Sequence, residues 1–149
     1  MKEQKYQKFS EICKKNGLKC TSQRFAVYDF IADNLTHPDV NSVWSQVKKN
    51  FPAITRESVY RILNEFVRVG IIYRLDHVTS ACYDSQTGPH GHFICETCGE
   101  ITDFAMPSEV TLPIDSVNGK VRHIELRITG ICDKCNQVKT LNNKGENHD

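Results

Sequence analysis

Apolar residues in the first half of the chain recur at steps of three and four, the spacing of one helix face. Tyr6, Phe9, Ile12 and Cys13 form such a face in a lysine-rich segment from Lys2 to Asn16, and Asn16-Gly17 stops it. Phe25, Val27, Tyr28, Phe30 and Ile31 predict the buried side of a second helix, capped by Thr21 or Ser22 and running to about Asn34. Thr36-His37-Pro38 breaks the pattern, because the residue before a proline is pushed out of the α region. A third helix, capped by Asn41 or Ser42, carries Val43, Trp44 and Val47 and ends near Lys49. Thr55 caps a fourth from Arg56 to Val69, closed by Gly70, with Val59, Ile62, Leu63, Phe66 and Val67 facing the core. Ile71–Leu75 and Ser80–Tyr83 are short β-prone runs separated by Asp76-His77-Val78-Thr79, a hairpin signal.

Helices followed by a hairpin make a winged helix. In helix-turn-helix architectures the later helix enters the major groove of DNA. Arg56, Ser58, Tyr60 and Arg61 lie off the apolar stripe of the fourth helix. The arginines can reach phosphates or guanine edges, and Ser58 and Tyr60 can offer hydroxyls. A charged outer face is also common on helices that bind nothing, so the pattern alone leaves both readings open.

The second half changes period. Lys120 to Ile131 alternates, with Ile124, Leu126 and Ile128 on one side and His123, Glu125, Arg127 and Thr129 on the other, which predicts a strand of a half-buried sheet. Asn142 to Asp149 reads as a disordered tail. Charge also divides here. Residues 1–83 hold 13 Lys+Arg against 8 Asp+Glu, and residues 84–149 hold 6 against 10. A basic half joined to an acidic one suggests a polyanion-binding module joined to a cation-binding module. No apolar run is long enough to span a membrane, and the first residues lack the apolar core of a secretory signal. The seven cysteines therefore point to metal or thiol chemistry in a reducing, cytoplasmic setting.

Four of those cysteines form two C-x-x-C pairs, Cys95/Cys98 and Cys132/Cys135, separated by 33 residues. Two thiolate knuckles brought together give a tetrahedral site that suits Zn²⁺; a rubredoxin-like iron centre and redox-active dithiols are the alternatives. A closed thiolate site leaves no open position, so its role is folding. About 65 residues cannot build a large core, and the metal substitutes for one. A second set is His90-Gly91-His92, whose imidazoles share a face if the segment is a strand. Asp103 lies in the β-prone run Glu100–Ala105 and approaches them if the two runs pair; Asp84 sits at the junction of the halves and His37 in a loop of the basic half. Imidazoles with carboxylates favour Fe²⁺, Mn²⁺ or Zn²⁺. Taken singly, each residue reads as an ordinary surface or capping group. Cys13, Cys20 and Cys82 are left over: Cys13 packs in the first helix, and no motif activates the others.

From Leu18 to Val138 the chain resembles the ferric uptake regulator family of bacterial metal-dependent repressors. The resemblance rests on Leu18-Lys19-Cys20-Thr21-Ser22-Gln23-Arg24, His37-Pro38, Thr55-Arg56-Glu57-Ser58-Val59-Tyr60-Arg61-Ile62-Leu63, Gly70-Ile71-Ile72, His90-Gly91-His92-Phe93-Ile94-Cys95, Cys98-Gly99 and the late Cys132/Cys135 pair. It implies an α+β protein: a winged-helix DNA-binding domain over 1–84, and an α/β dimerisation and metal-binding domain over 85–141 with a Cys₄ structural zinc. It further implies a homodimer on double-stranded operator DNA, with Lys19, Arg56, Ser58, Tyr60 and Arg61 as DNA contacts. His37, Asp84, His90, His92 and Asp103 become ligands of a regulatory Fe²⁺ or Mn²⁺. Aspartate at both carboxylate positions resembles the peroxide-responsive branch, in which peroxide reacts with bound Fe²⁺ and a histidine ligand, here His37 or His90, is oxidised. The other readings are an iron-, manganese- or zinc-uptake repressor and, in another class, a mononuclear non-haem iron enzyme.

The chain departs from the family at three places. Thr21-Ser22-Gln23-Arg24 stands for the usual Thr-Pro-Gln-Arg, and Ser58-Val59-Tyr60 for Thr-Val-Tyr. Between Asp103 and Cys132, Pro107 and Pro113 leave only Ser108–Val117 where the family carries a long amphipathic helix.

Overall fold

The helical stripes fold as their spacing dictates. A computed structural model describes residues 1–76, 80–109, 111–122 and 124–143. The chain forms two compact units, residues 1–87 and 88–149.

In the first unit, α1 spans Lys2–Lys15, α2 Ser22–Ile31, α3 Val40–Val47 and α4 Arg56–Arg68; β1 (Tyr73–Asp76) pairs antiparallel with β2 (Ala81–Asp84). The core collects Phe9 and Cys13 of α1, Val27, Tyr28 and Ile31 of α2, Val43 and Val47 of α3, and Val59, Ile62, Leu63 and Phe66 of α4. Phe9 is its centre, stacked on Tyr28 with ring centroids 4.8 Å apart and edge-on to Phe66 at 6.0 Å. Trp44 lies at the rim because its indole N–H donates to Ile54 O at 3.0 Å.

Thr21 and Thr55 cap α2 and α4 by accepting the amide hydrogens of Arg24 and Ser58. Two boundaries differ from expectation. Helix α2 stops at Ile31, short of Asn34, because Ala32 is extended and Asp33 takes φ +67°. Helix α3 is capped by Asp39, not by Asn41 or Ser42: the Asp39 carboxylate accepts from Ser42 N–H at 2.8 Å, so the helix begins two to three residues earlier. The hairpin forms, but His77, Val78 and Thr79 of its expected turn lie outside the described residues.

In the second unit, β3 (His90–Cys95) is central, antiparallel to β4 (Ile101–Ala105) and parallel to β5 (Leu126–Gly130). The predicted alternation of 120–131 becomes a strand only over its last part. Its apolar side is also more open than a half-buried sheet requires, since Ile124 and Ile128 are 38% and 47% exposed. Of the Ser108–Val117 segment, a single 3₁₀ turn at Ile114–Ser116 is helical among the described residues, as two flanking prolines dictate. Helix α5 (Asp133–Asn143) is not foreseen in the sequence; it includes Asn142 and Asn143, while 144–149 of the expected tail lie outside the described residues. The described buried apolar residues of this unit are Ile94 and Cys95.

Candidate functional site

The four C-x-x-C thiols converge through the sheet. Strand β3 ends at Cys95, and the chain reverses through Gly99, whose φ of +74° suits glycine, with Gly99 N–H donating to Cys95 O at 2.8 Å. Strand β5 runs beside β3 in register Cys95↔Gly130, and Glu96 N–H donates to Gly130 O at 2.7 Å. That pairing delivers Cys132 beside the first knuckle, and Cys135 follows on the first turn of α5. All four sulfurs lie within 4.8 Å of one another, and Cys98 and Cys132 Sγ are 3.9 Å apart. Thiolates on a tetrahedral zinc at ~2.3 Å are about 3.8 Å apart, so the cluster has the size of a zinc site.

The electrostatics divide the four. Backbone N–H groups of Cys132 (3.3 Å) and Cys98 point at the Cys95 sulfur and pull its pKa down to about 6. Cys135 is pushed up to about 12, first by its hydrogen bond with Cys132 and then by burial. At Cys98 the Glu100 amide draws the pKa down, but a hydrogen bond with Cys95 and burial outweigh it and the net direction is up.

A second group lies on the other end of β3. His90 and His92 share a face of the strand, with Nε2 atoms 3.0 Å apart and rings edge-on at 73°. Two imidazoles bound cis to one ion at ~2.1 Å place their nitrogens about 3.0 Å apart. His90 Nδ1 pairs with Gly88 O at 2.8 Å, which orients the ring and leaves Nε2 for a ligand. The β3–β4 register sets His92 opposite Asp103, and Asp103 Oδ1 lies 3.5 Å from His92 Nε2. Gly91 between the histidines leaves room for a ring from the paired strand. A Cβ there would come within 2.3 Å of the Phe104 ring, which fills the opposite face of the strand.

His37 and Asp84 belong to the first unit. Both are buried. Asp39 bridges Cys82 antiparallel, and Tyr83 N–H donates to Pro38 O at 3.0 Å. Continued by two residues, that register sets His37 across from Asp84. His37 holds φ +51°, a left-handed backbone unusual for a non-glycine residue. The Asp84 carboxylate accepts from Gln86 N–H at 2.8 Å.

On α4, Arg56, Tyr60 and Arg61 are exposed and Ser58 is half-buried, its hydroxyl 2.9 Å from that of Thr55. Arg56 reaches Asn41 Oδ1 at 3.2 Å. Tyr60 is hydrogen-bonded by Asn64 and Arg74, which lower its pKa and tie the helix to strand β1. Lys19 is exposed, and its carbonyl accepts from Arg24 Nη1 at 2.8 Å. Arg24 is a brace the sequence reading passes over: it also pairs with Glu65 of α4. No local pattern could reveal it, since its partner is 41 residues away. His123, on the polar side of the expected strand, lies outside the described residues.

A helical unit closed by a two-stranded wing, and a small sheet unit carrying thiol and imidazole clusters, define a metal-binding winged-helix transcription regulator. The family model described as "Ferric uptake regulator family" matches residues 15–129, and the chain belongs to that family. Its relatives include the peroxide operon regulator of Bacillus subtilis, 33% identical over 142 residues, with 93% of each chain covered. The peroxide-responsive repressor PerR of Staphylococcus saprophyticus is 34% identical over 124 residues, covering 80% of this chain and 84% of that one. Among solved structures, the ferric uptake regulator of Helicobacter pylori, described as having three functional metal binding sites, superposes with a TM-score of 0.72 at 25% identity, covering 91% of this chain and 94% of the other. The family is one of regulators, and the iron-enzyme alternative has no support.

Proposed function

We propose that the chain is a metal-dependent DNA-binding repressor whose signal is peroxide. The observation that carries this is the His90–His92–Asp103 face, with imidazole nitrogens already at the spacing of two ligands of one ion. The peroxide regulators among its relatives support the choice of signal. Residues 1–84 serve as the DNA-binding domain and 85–141 as the dimerisation and metal-binding domain. Cys95, Cys98, Cys132 and Cys135 hold a structural Zn²⁺. His37 and Asp84, with His90, His92 and Asp103, hold a regulatory Fe²⁺ or Mn²⁺, the ligand set that the family resemblance implies. Bound Fe²⁺ would supply the reduction of peroxide.

The roles of the protein groups follow from their chemistry. Gly88 O fixes the His90 tautomer, and Asp103 beside His92 supplies negative charge for a divalent cation. Metal binding favours the DNA-competent state by its difference in affinity between states, and oxidation of a ligand removes that preference. Lys19, Arg56, Ser58, Tyr60 and Arg61 contact operator DNA, the arginines and lysine through phosphates and base edges. The working form is a homodimer in the cytoplasm. The exposed Ile124 and Ile128 on β5 and its approach are the side chains that a second copy would cover.

Operator-DNA binding measured with and without Fe²⁺ or Mn²⁺ tests the reading. Affinity should rise tenfold or more with metal, and His90→Ala should abolish the rise. Mass spectrometry after exposure of the Fe²⁺ form to peroxide should find one added oxygen on His37 or His90. Metal-dependent binding without that oxygen would favour a plain metal-uptake repressor.

A further inference from the structure

Asn34 ties together the chain segments that carry His37 and Asp84. It lies just past α2, where its N–H donates to Ile31 O at 3.1 Å. Its side-chain Oδ1 accepts two hydrogen bonds from Thr36, the N–H at 3.0 Å and the hydroxyl at 2.7 Å. Its backbone carbonyl accepts the Ser85 hydroxyl at 3.3 Å, across 51 residues of chain. Thr36 immediately precedes His37, and Ser85 immediately follows Asp84. On the other side of His37, Pro38 O accepts Tyr83 N–H at 3.0 Å and Asp39 bridges Cys82. His37 holds φ +51°, and a non-glycine residue keeps such a backbone only where its surroundings over-determine it. Here the Asn34–Thr36 turn holds it from before and the Pro38–Tyr83 bond from after. All of these residues lie in the first unit.

We propose that Asn34 is a positioning residue of the regulatory metal site, presetting His37 and Asp84 for one divalent cation through the neighbours of each. The inference rests on the ligand set of the proposed function and adds what orients its first-unit members. Thr36 presents two donors to Asn34, so the amide oxygen and not the amide nitrogen must face it. Aspartate offers the same acceptor at that place, and alanine offers none. Without the acceptor, Thr36 is released and His37 can relax to negative φ, which turns its imidazole from the place where it faces Asp84. The Ser85 bond acts on the other ligand, since it fixes the chain as it leaves Asp84. Partners of this kind, one step behind the ligands, govern metal affinity by orienting the donor groups.

Full-length protein is titrated with Mn²⁺ well below its thermal transition, and bound Mn²⁺ is read by electron paramagnetic resonance. Asn34→Ala should weaken Mn²⁺ binding about 10- to 100-fold, with zinc content and helical circular dichroism as in the wild type. Ser85→Ala should weaken it less, and Asn34→Asp should recover most of the lost affinity. A role confined to folding would lower the melting temperature and leave Mn²⁺ affinity of the folded protein where it was. His37→Ala is the control for the ligand set. If it loses Mn²⁺ affinity while Asn34→Ala binds as the wild type does, the proposal is overturned and the ligand set stands. Asn34→Asp as weak as Asn34→Ala would also overturn it, because the acceptor oxygen would then not be what matters. Should Asn34→Ala fail to fold, Thr36→Val decides: it removes the 2.7 Å bond from an exposed side chain, and unchanged affinity would overturn the proposal. If His37→Ala binds Mn²⁺ as tightly as the wild type, the ligand set falls and this proposal with it.

Discussion

At Gly91 a hydrogen in place of a side chain makes room for the Phe104 ring of the paired strand. The Phe104 ring occupies the space where any side chain would begin. Gly91→Ala should therefore destabilise the second unit by about 1–3 kcal/mol, through overpacking that pushes β4 off β3. Urea unfolding followed by a probe in that unit checks it. Cys13 makes a contrasting case, since burial pushes its pKa up to about 11. A raised thiol pKa favours the neutral form in the folded state. The associated stability is complete below the unfolded pKa and is lost as pH rises toward 11. Iodoacetamide at pH 8 should label Cys20 in the native reduced protein and spare Cys13, and denaturant should equalise the two. Equal labelling in the native protein would contradict the burial.

At the scale of elements, caps decide where helices begin. Thr55 holds the first turn of α4 through Ser58 N–H and meets the Ser58 hydroxyl. Thr55→Ala should cost about 1 kcal/mol and should weaken operator binding beyond that through fraying of the turn that carries Arg56 and Ser58. Thermal melts compared with DNA affinity separate the two effects. The same scale shows what a reader of the sequence can recover. The stripes of α1, α2 and α4 are legible because burial at steps of three and four is local information, and Thr55 is legible because its cap lies three residues from its partner. Asp39 is passed over because His37-Pro38 suggests a later start, whereas the carboxylate after the proline is the better acceptor. Strand β5 and helix α5 are poorly legible: the strand pairs with a segment over 30 residues away, and the helix is short and polar beyond Cys135. For the candidate sites, the C-x-x-C spacing announces the thiols, and H-x-H announces a shared face. The left-handed backbone at His37 and the Phe104 ring under Gly91 belong to tertiary structure and have no local signature.

At the scale of the molecule, the two units differ in what holds them. Among the described residues the first has a core of fourteen buried ones, with Phe9 at its centre. Phe9→Ala should remove about 3–5 kcal/mol from it. The second buries Ile94 and Cys95 among its described apolar residues, so the expected zinc must supply much of its stability. Stripping zinc with a strong chelator should abolish the unfolding transition of the second unit while the helical circular dichroism of the first persists. A single unchanged transition after complete zinc loss would argue against a structural role for the thiol cluster.

The parallel pairing of β3 with β5 also has a kinetic consequence. Their adjacent knuckles are joined by 33 residues, which carry β4 and β5 and, between those strands among the described residues, one short 3₁₀ turn. Closing a loop of that length costs roughly 3 kcal/mol of chain entropy before any strand contact repays it. The helical unit, built from local contacts, should therefore assemble early during synthesis, with the sheet following once both ends of the loop are captured by one ion. In a zinc-starved cell newly made chains would accumulate half-folded, and the supply of one metal would limit how much protein is ready to report on another.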